Sequence, residues 1–330
     1  MWDILPGTLY HWYRNHLSDY QSDLDSGKWP QNEVITADED TGEILEEKPV
    51  YVFKPENIGA RMSIDDKATG HDGYTIMSNT DTGKIAMLIE STRSHELEKA
   101  MQLFGRELLK VKSISLDMSP TYLKLCNEQM PYAQKVVDKF HVMQYVYDAV
   151  LDVRSRIKKE LGEKLSKGKE KTRQDKAILS QIEQLKHCRY RLTQSPDKWS
   201  ETANELMNCV FENHQELKTA YLISQNFKKW YHISNCLLSK TDIKEELYKW
   251  YHCIKNADIK EFVSVARMIR KHEYEILNFF SGGHTNAKAE RLNGKIQRFI
   301  SANFGVRDKD FPSIELPVIF HSTGKNFLTR

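Results

Sequence analysis

The chain has 330 residues, with 48 lysines and arginines against 46 aspartates and glutamates and a formal net charge of +2. That length allows one catalytic core plus an insertion or second domain, and a charge this near zero says little by itself about nucleic acid. No run of eighteen apolar residues and no basic-then-apolar leader occurs, so neither a membrane span nor a signal peptide is expected. Cys126, Cys188, Cys209, Cys236 and Cys253 are scattered, odd in number and never in a C-x-x-C pair. That pattern points to reduced thiols in a cytoplasmic protein and away from a zinc knuckle or a disulfide framework.

Residues 1–25 read as one amphipathic helix, with Leu9, Trp12, Tyr13, His16 and Leu17 at helical spacing. Residues 26–57 hold Gly27, Pro30, Gly42, Pro49 and Pro55 among acidic and polar residues, which predicts a linker or irregular excursion. Arg61 to Asp65 is a short strand, and Tyr74 to Ser78 and Lys84 to Ile89 are two more, the latter pair joined by an Asp81-Thr82-Gly83 turn. Ser94 to Leu108 is a helix with Ser94 as its cap and Leu97, Ala100, Met101, Phe104 and Leu108 as its apolar stripe. Val111 to Leu116 is a strand that runs into Asp117. Ser119 can cap a short helix over Pro120 to Gln129, and Lys135 to Val137 is a fifth strand. A three-stranded meander followed by alternating helices and strands predicts an α/β mixed sheet of ribonuclease-H-like layout.

From about 141 to 280 the pattern is almost wholly helical, with Leu, Trp and Tyr at helical spacing and a single proline, Pro196. Gly282-Gly283 then breaks the chain, and Asn286 to Phe299 forms a last amphipathic helix. The stretch from Arg154 to Arg173 is strongly basic and admits two readings: a solvated helix face or a phosphate-contacting surface.

Transfer of phosphoryl groups between DNA strands needs two oxygens held in line, and divalent metals held by a few carboxylates can serve both. Asp117 is the cleanest candidate, because a carboxylate at the C-terminal end of an apolar strand points into the crevice where open sheets bind ligands. The alternative for Asp117 is a cap on the helix that follows. Asp65 and Asp66 end the first strand on opposite faces, and spacing does not choose between them. Glu290, inside the last helix, reads on spacing alone as an ordinary exposed glutamate.

Three segments carry a resemblance. Asp117-Met118-Ser119-Pro120-Thr121-Tyr122, Pro131-Tyr132-Ala133 with Val137-Asp138-Lys139-Phe140-His141-Val142, and Thr285 to Ile296 occur in this order. They are very similar to the core of the ISL-three insertion-sequence transposases, over roughly residues 58 to 310. The resemblance implies a ribonuclease-H-like core (58–140 and 281–311) interrupted by a large all-helical insertion (141–280). It implies a catalytic and metal-binding triad of Asp65, Asp117 and Glu290, with Ile64-Asp65-Asp66 matching the family's first-acid strand end and so favouring Asp65. It also implies two Mg2+ or Mn2+ ions, DNA as both element end and target, and a homo-oligomer. The Asp138-x-x-His141 element, also found in related hAT and Mutator transposases, is expected to be auxiliary, as is Asn293, one turn beyond Glu290. Lys295 and Arg298 are expected to contact DNA phosphates.

Two features depart from the family. Its members usually begin with a zinc-binding and helix-turn-helix region. Here no cysteine precedes Asp65, and Thr8 to Tyr13 resembles only the end of such a module. A separate DNA-binding subunit is therefore expected. The pattern also stops after Phe311, so residues 312–330 form an atypical tail that a frameshift near codon 311 would explain. The rival readings are a nuclease of the same fold that cuts without joining, and an inactive or domesticated copy that only binds DNA.

Overall fold

The computed structural model describes residues 32–37, 44–69, 72–89, 91–165, 172–232, 235 and 237–281. They fall into two compact units, one holding the described residues up to Val136 and the other those from Val137 onward.

The first unit is built on a seven-stranded sheet, and its strands are β1 (Asn32–Ala37), β2 (Ile44–Phe53), β3 (Arg61–Thr69), β4 (Asp72–Asn79), β5 (Ile85–Ile89), β6 (Ser113–Leu116) and β7 (Gln134–Val137). The spatial order is β1-β2-β5-β4-β3-β6-β7. The meander β3-β4-β5 is antiparallel, and β6 lies parallel to β3 on its other side. Counted from β3, the five strands from β5 across to β7 run third, second, first, fourth, fifth, the ribonuclease-H-like arrangement that the strand pattern predicts.

Two expectations change. Where an irregular excursion is expected, β1 and β2 form an antiparallel hairpin that extends the sheet beyond β5. Pro49 reads as a breaker, yet it sits just before β2 begins to pair with β5 at Val50. A proline there need not supply an N–H to a second neighbour. The helix expected from Ser94 to Leu108 is also shorter. It runs as α1 (Ser94–Gln102) with Arg93 in the cap position, and a 3-10 segment Gly105–Lys110 follows. Gly105 adopts a φ of 52°, a left-handed conformation that ends the α-helical path.

Alternation along β3 sorts its side chains onto two faces. Met62 and Ile64 join Met77, Ile114, Leu116, Leu97 and Met101 in the apolar core under α1 and α2 (Pro120–Gln129). Ser63 lies on the opposite face, with its hydroxyl 2.9 Å from that of Ser78. Its other neighbour in register is Ser115, so three buried serines cross three adjacent strands in a row.

The second unit is helical. It comprises α3 (Lys139–Glu163), α4 (Arg173–His187), α5 (Glu201–Asn213), α6 (Gln215–Trp230), α7 (Lys240–Ala257), α8 (Lys260–Lys271) and the short α9 (Glu273–Leu277). Its centre is aromatic: Phe227, Trp230, Tyr231, Trp250, Phe279 and Phe280 are all buried. The indole N–H groups that burial would otherwise strand are satisfied, Trp230 donating to the Ile243 carbonyl at 2.8 Å and Trp250 to that of Ile223 at 3.0 Å. No helix among the described residues is long and apolar enough to cross a membrane.

Candidate active site

The site begins at the row of serines. Ser63 on β3 pairs in parallel register with Ser115 on β6. Two residues further along each strand stand Asp65 and Asp117. A two-residue step returns to the same face, so both carboxylates lie on the serine side of adjacent chain segments, where neighbouring strands are about 4.8 Å apart. The paired register ends at Ser63 and Ser115, and Asp117 is the first residue after β6. The chains therefore diverge where the carboxylates project.

Local hydrogen bonds orient both groups. Asp117 Oδ1 accepts the Ser119 N–H at 2.7 Å, so the turn into α2 holds the carboxylate. The expected cap by Ser119 is different in detail: Ser119 occupies the N-cap position, but its side chain makes no capping hydrogen bond. Asp65 Oδ1 accepts the Asp66 N–H at 3.0 Å. β3 does not end at Asp65, as the sequence suggests, but continues to Thr69 paired with β4. Asp66 pairs with Thr75 and lies on the α1/α2 face, opposite Asp65.

That face also holds Tyr122, to which the sequence pattern assigns no role. The Tyr122 hydroxyl lies 3.0 Å from Thr75 Oγ1, and Thr75 Oγ1 donates to the Ser91 carbonyl at 2.6 Å. Thr75 has one hydroxyl hydrogen, so Tyr122 is the donor in the first bond. Burial drives the Tyr122 phenol well above its ordinary range, and the charges of Asp66, Asp117 and Asp65 push it further against the Thr75 hydrogen bond. The phenol is thus a neutral donor beside three carboxylates. Its place in the Asp-Met-Ser-Pro-x-Tyr segment is the signal that marks it.

The other expected residues divide. Asp138 is the N-cap of α3 and accepts the Phe140 N–H at 2.8 Å. His141 is half-buried, one ring edge-on to Phe140 with centroids 5.7 Å apart. Lys139 between them lies 5.6 Å and 5.7 Å from the ring centroids of Tyr231 and Phe279, so the start of α3 is anchored on the aromatic centre of its unit. Glu290, Asn293, Lys295 and Arg298 lie outside the described residues. Among those described, no group of three or more potential metal ligands occurs. Two carboxylates and a third from elsewhere would make an all-oxygen donor set, which suits hard divalent cations.

The basic run is not one surface. Arg154 is buried and donates to the Leu185 carbonyl at 2.9 Å, near the C-terminus of α4. Arg156 bridges Glu160, Glu216 and Glu261, and Lys159 faces Glu163 at 4.0 Å. Arg154, Arg156 and Lys159 thus have intramolecular partners, so only part of the run is left to a solvated face.

The family model that matches the chain is described as a transposase and covers residues 62–312. No curated protein and no solved structure matches.

Proposed function

Since the chain belongs to the ISL-three family of transposases, we propose that it cleaves the ends of an insertion sequence and joins them to target DNA in a metal-dependent reaction. The support is the register that brings Asp65 and Asp117 to one face of neighbouring strands. Glu290, in the last family motif, is the third acid of the reading. These three residues would hold two Mg2+ or Mn2+ ions, which supply charge neutralisation at the attacking and leaving oxygens of an in-line displacement.

The chain's own groups prepare the site. Backbone N–H donors fix the Asp65 and Asp117 carboxylates, so they need no reorganisation when a phosphate arrives. Tyr122 stays protonated beside them and adds no fourth negative charge. Asp138, His141 and Asn293 position the scissile phosphate, and Lys295 and Arg298 contact flanking phosphates. Water is the first nucleophile and exposes a 3′-hydroxyl; that hydroxyl attacks the target strand. The first step hydrolyses a phosphodiester to a 3′-hydroxyl and a 5′-phosphate, the second exchanges one phosphodiester bond for another, and neither needs a covalent enzyme intermediate. Two element ends must be handled together, which a homo-oligomer would do.

The test uses the DNA that flanks the gene, end-labelled, with Mg2+ or Mn2+. Asp117→Asn and Asp65→Asn should each reduce cleavage and joining to background while DNA binding survives. Retained cleavage in either variant would refute the site. Products that are cut but never joined would leave a nuclease of the same fold.

A further inference from the structure

α8 is the most sharply two-sided helix of the second unit. Phe262, Val265 and Ile269 form its buried face. Lys260, Ser264, Arg267 and Lys271 are exposed and follow one another at intervals of four, three and four residues, which aligns them in one stripe. Arg270 is exposed beside them, its guanidinium 4.5 Å from the Tyr251 ring centroid. Tyr274, just beyond, is 73% exposed.

The sign of this stripe is uniform. Glu261, the one acid in α8, is turned away to Arg156 and is only 11% exposed. Among the described residues no carboxylate lies within ion-pair distance of Lys260, Arg267, Arg270 or Lys271. On other helices exposed cations stand among acids, and some pair within their own helix, as Lys159 with Glu163, Lys186 with Glu183 and Lys249 with Glu246, whereas α8 has no exposed acid of its own. Like charges stacked one turn apart repel, so the α8 stripe is destabilising until a polyanion covers it. From Lys260 to Lys271 the helix rises about 16 Å, close to half the ~34 Å turn of a DNA duplex.

We propose that this outer face of α8 binds the phosphate backbone of DNA without regard to sequence, with Lys260, Arg267 and Lys271 as its contacts and Arg270 beside them. The proposal rests on the reading of DNA as substrate but not on the chemistry at Asp65 and Asp117. Backbone contacts release counterions, so their number sets how steeply affinity falls with salt.

The experiment measures binding of the full chain to a 30-base-pair duplex of arbitrary sequence over a salt series, with EDTA present. Chelation removes metal-dependent catalysis from the readout, so a failure of the catalytic reading leaves this test intact. The variant Lys260→Gln/Arg267→Gln/Lys271→Gln should flatten the slope of log K against log salt by about 2 to 3 and weaken binding about 100-fold at 0.15 M salt. A charge-matched control, Lys159→Gln/Lys186→Gln/Lys249→Gln, should shift the slope by less than about 1. All six positions are exposed, so neither variant should melt appreciably below the parent. Equal slopes for the two variants would overturn the proposal. A loss confined to anionic-lipid vesicles, with the DNA slope unchanged, would overturn it too.

Discussion

Replacing Arg156 by methionine removes one guanidinium from three carboxylates at once. The pair with Glu160 is an exposed i,i+4 contact at 3.2 Å and is worth about 0.3–0.5 kcal/mol. The pair with Glu216, at 2.6 Å on a carboxylate 44% exposed, adds about 0.5–1 kcal/mol. Glu261 dominates. Its side chain is 11% exposed, Arg156 Nε lies 2.8 Å from Oε1, and Oε2 has no hydrogen-bond partner among the described residues. Removing the guanidinium strands a buried charge, for which about 2–3 kcal/mol is appropriate given the remaining solvent access. The sum is about 3–4 kcal/mol, or roughly a 6–15 °C lower midpoint for a unit of this size.

The pH dependence gives the mechanism away. Burial alone would raise the Glu261 carboxyl, but the Arg156 hydrogen bond and charge carry it below its ordinary value. A depressed folded-state value means the carboxylate contributes stability above the unfolded value and loses it as pH falls through the folded one. In Arg156→Met burial is opposed only by a backbone hydrogen bond and the Lys260 charge, so the folded value rises and the ionised carboxylate becomes a liability at neutral pH. The difference between parent and variant should therefore be greatest near pH 7 and shrink below about pH 4. Glu261→Gln should rescue Arg156→Met by more than about 1.5 kcal/mol in a double-mutant cycle. Calorimetry at pH 7 and pH 4 decides the matter: a shift equal at both pH values, or below about 1 kcal/mol at pH 7, would refute the reasoning.

Three further outcomes follow from single contacts. Tyr122→Phe removes the donor to Thr75 and should cost about 1–2 kcal/mol in denaturant titrations, while in the parent the Tyr122 phenol should give no ultraviolet ionisation step before alkaline unfolding. Asp138→Ala should cost about 1 kcal/mol through loss of the α3 cap; Asp138→Asn, which keeps a capping oxygen, should keep stability yet slow strand cleavage, and unchanged cleavage would remove Asp138 from the reaction. Gly59→Ala would place a Cβ against Asn79 Nδ2, whose side chain binds the Asn57 carbonyl and the Asp81 and Thr82 N–H groups. It should destabilise by about 1–3 kcal/mol, and an unchanged midpoint would show that Asn79 yields without cost.

The inner sheet was legible because its signals are local. Apolar runs, a Thr82-Gly83 turn and a strand running into Asp117 each report on a few neighbouring residues. The β1–β2 hairpin was not, because Gly42 and Pro49 carry the same signature in a loop as beside a one-sided strand. The candidate site was legible in parts. Alternation shows that Asp65 and Asp66 face opposite ways, but which face meets Asp117 depends on the parallel register of Ser63 with Ser115, a pairing across 52 residues that no local pattern encodes. Glu290 stood out only through the family motif. The role of Arg156 was hidden for the same reason as the register: Glu216 and Glu261 reach it from 60 and 105 residues away.

Charge shows most clearly what a sequence average hides. A net charge of +2 on 94 ionised side chains suggests no preference for a polyanion. In the structure the opposite signs are sorted. Asp65, Asp66 and Asp117 gather around the Tyr122 end of the sheet, where hard cations rather than lysines are the fitting counterions. In the conspicuous basic run, Arg156 is matched by three acids and Arg154 is buried against the end of α4. The less conspicuous α8, with fewer cations in sequence, keeps them all on the outside because Glu261 is spent on Arg156. The two observations share one contact: the pair that matches Arg156 of the basic run also removes the single acid from the α8 face. Arg156→Met should therefore do more than destabilise the helical unit. With Glu261 left unpaired and charged beside Lys260, DNA affinity should fall and its salt slope should flatten by up to about 1, at temperatures where the variant is still folded.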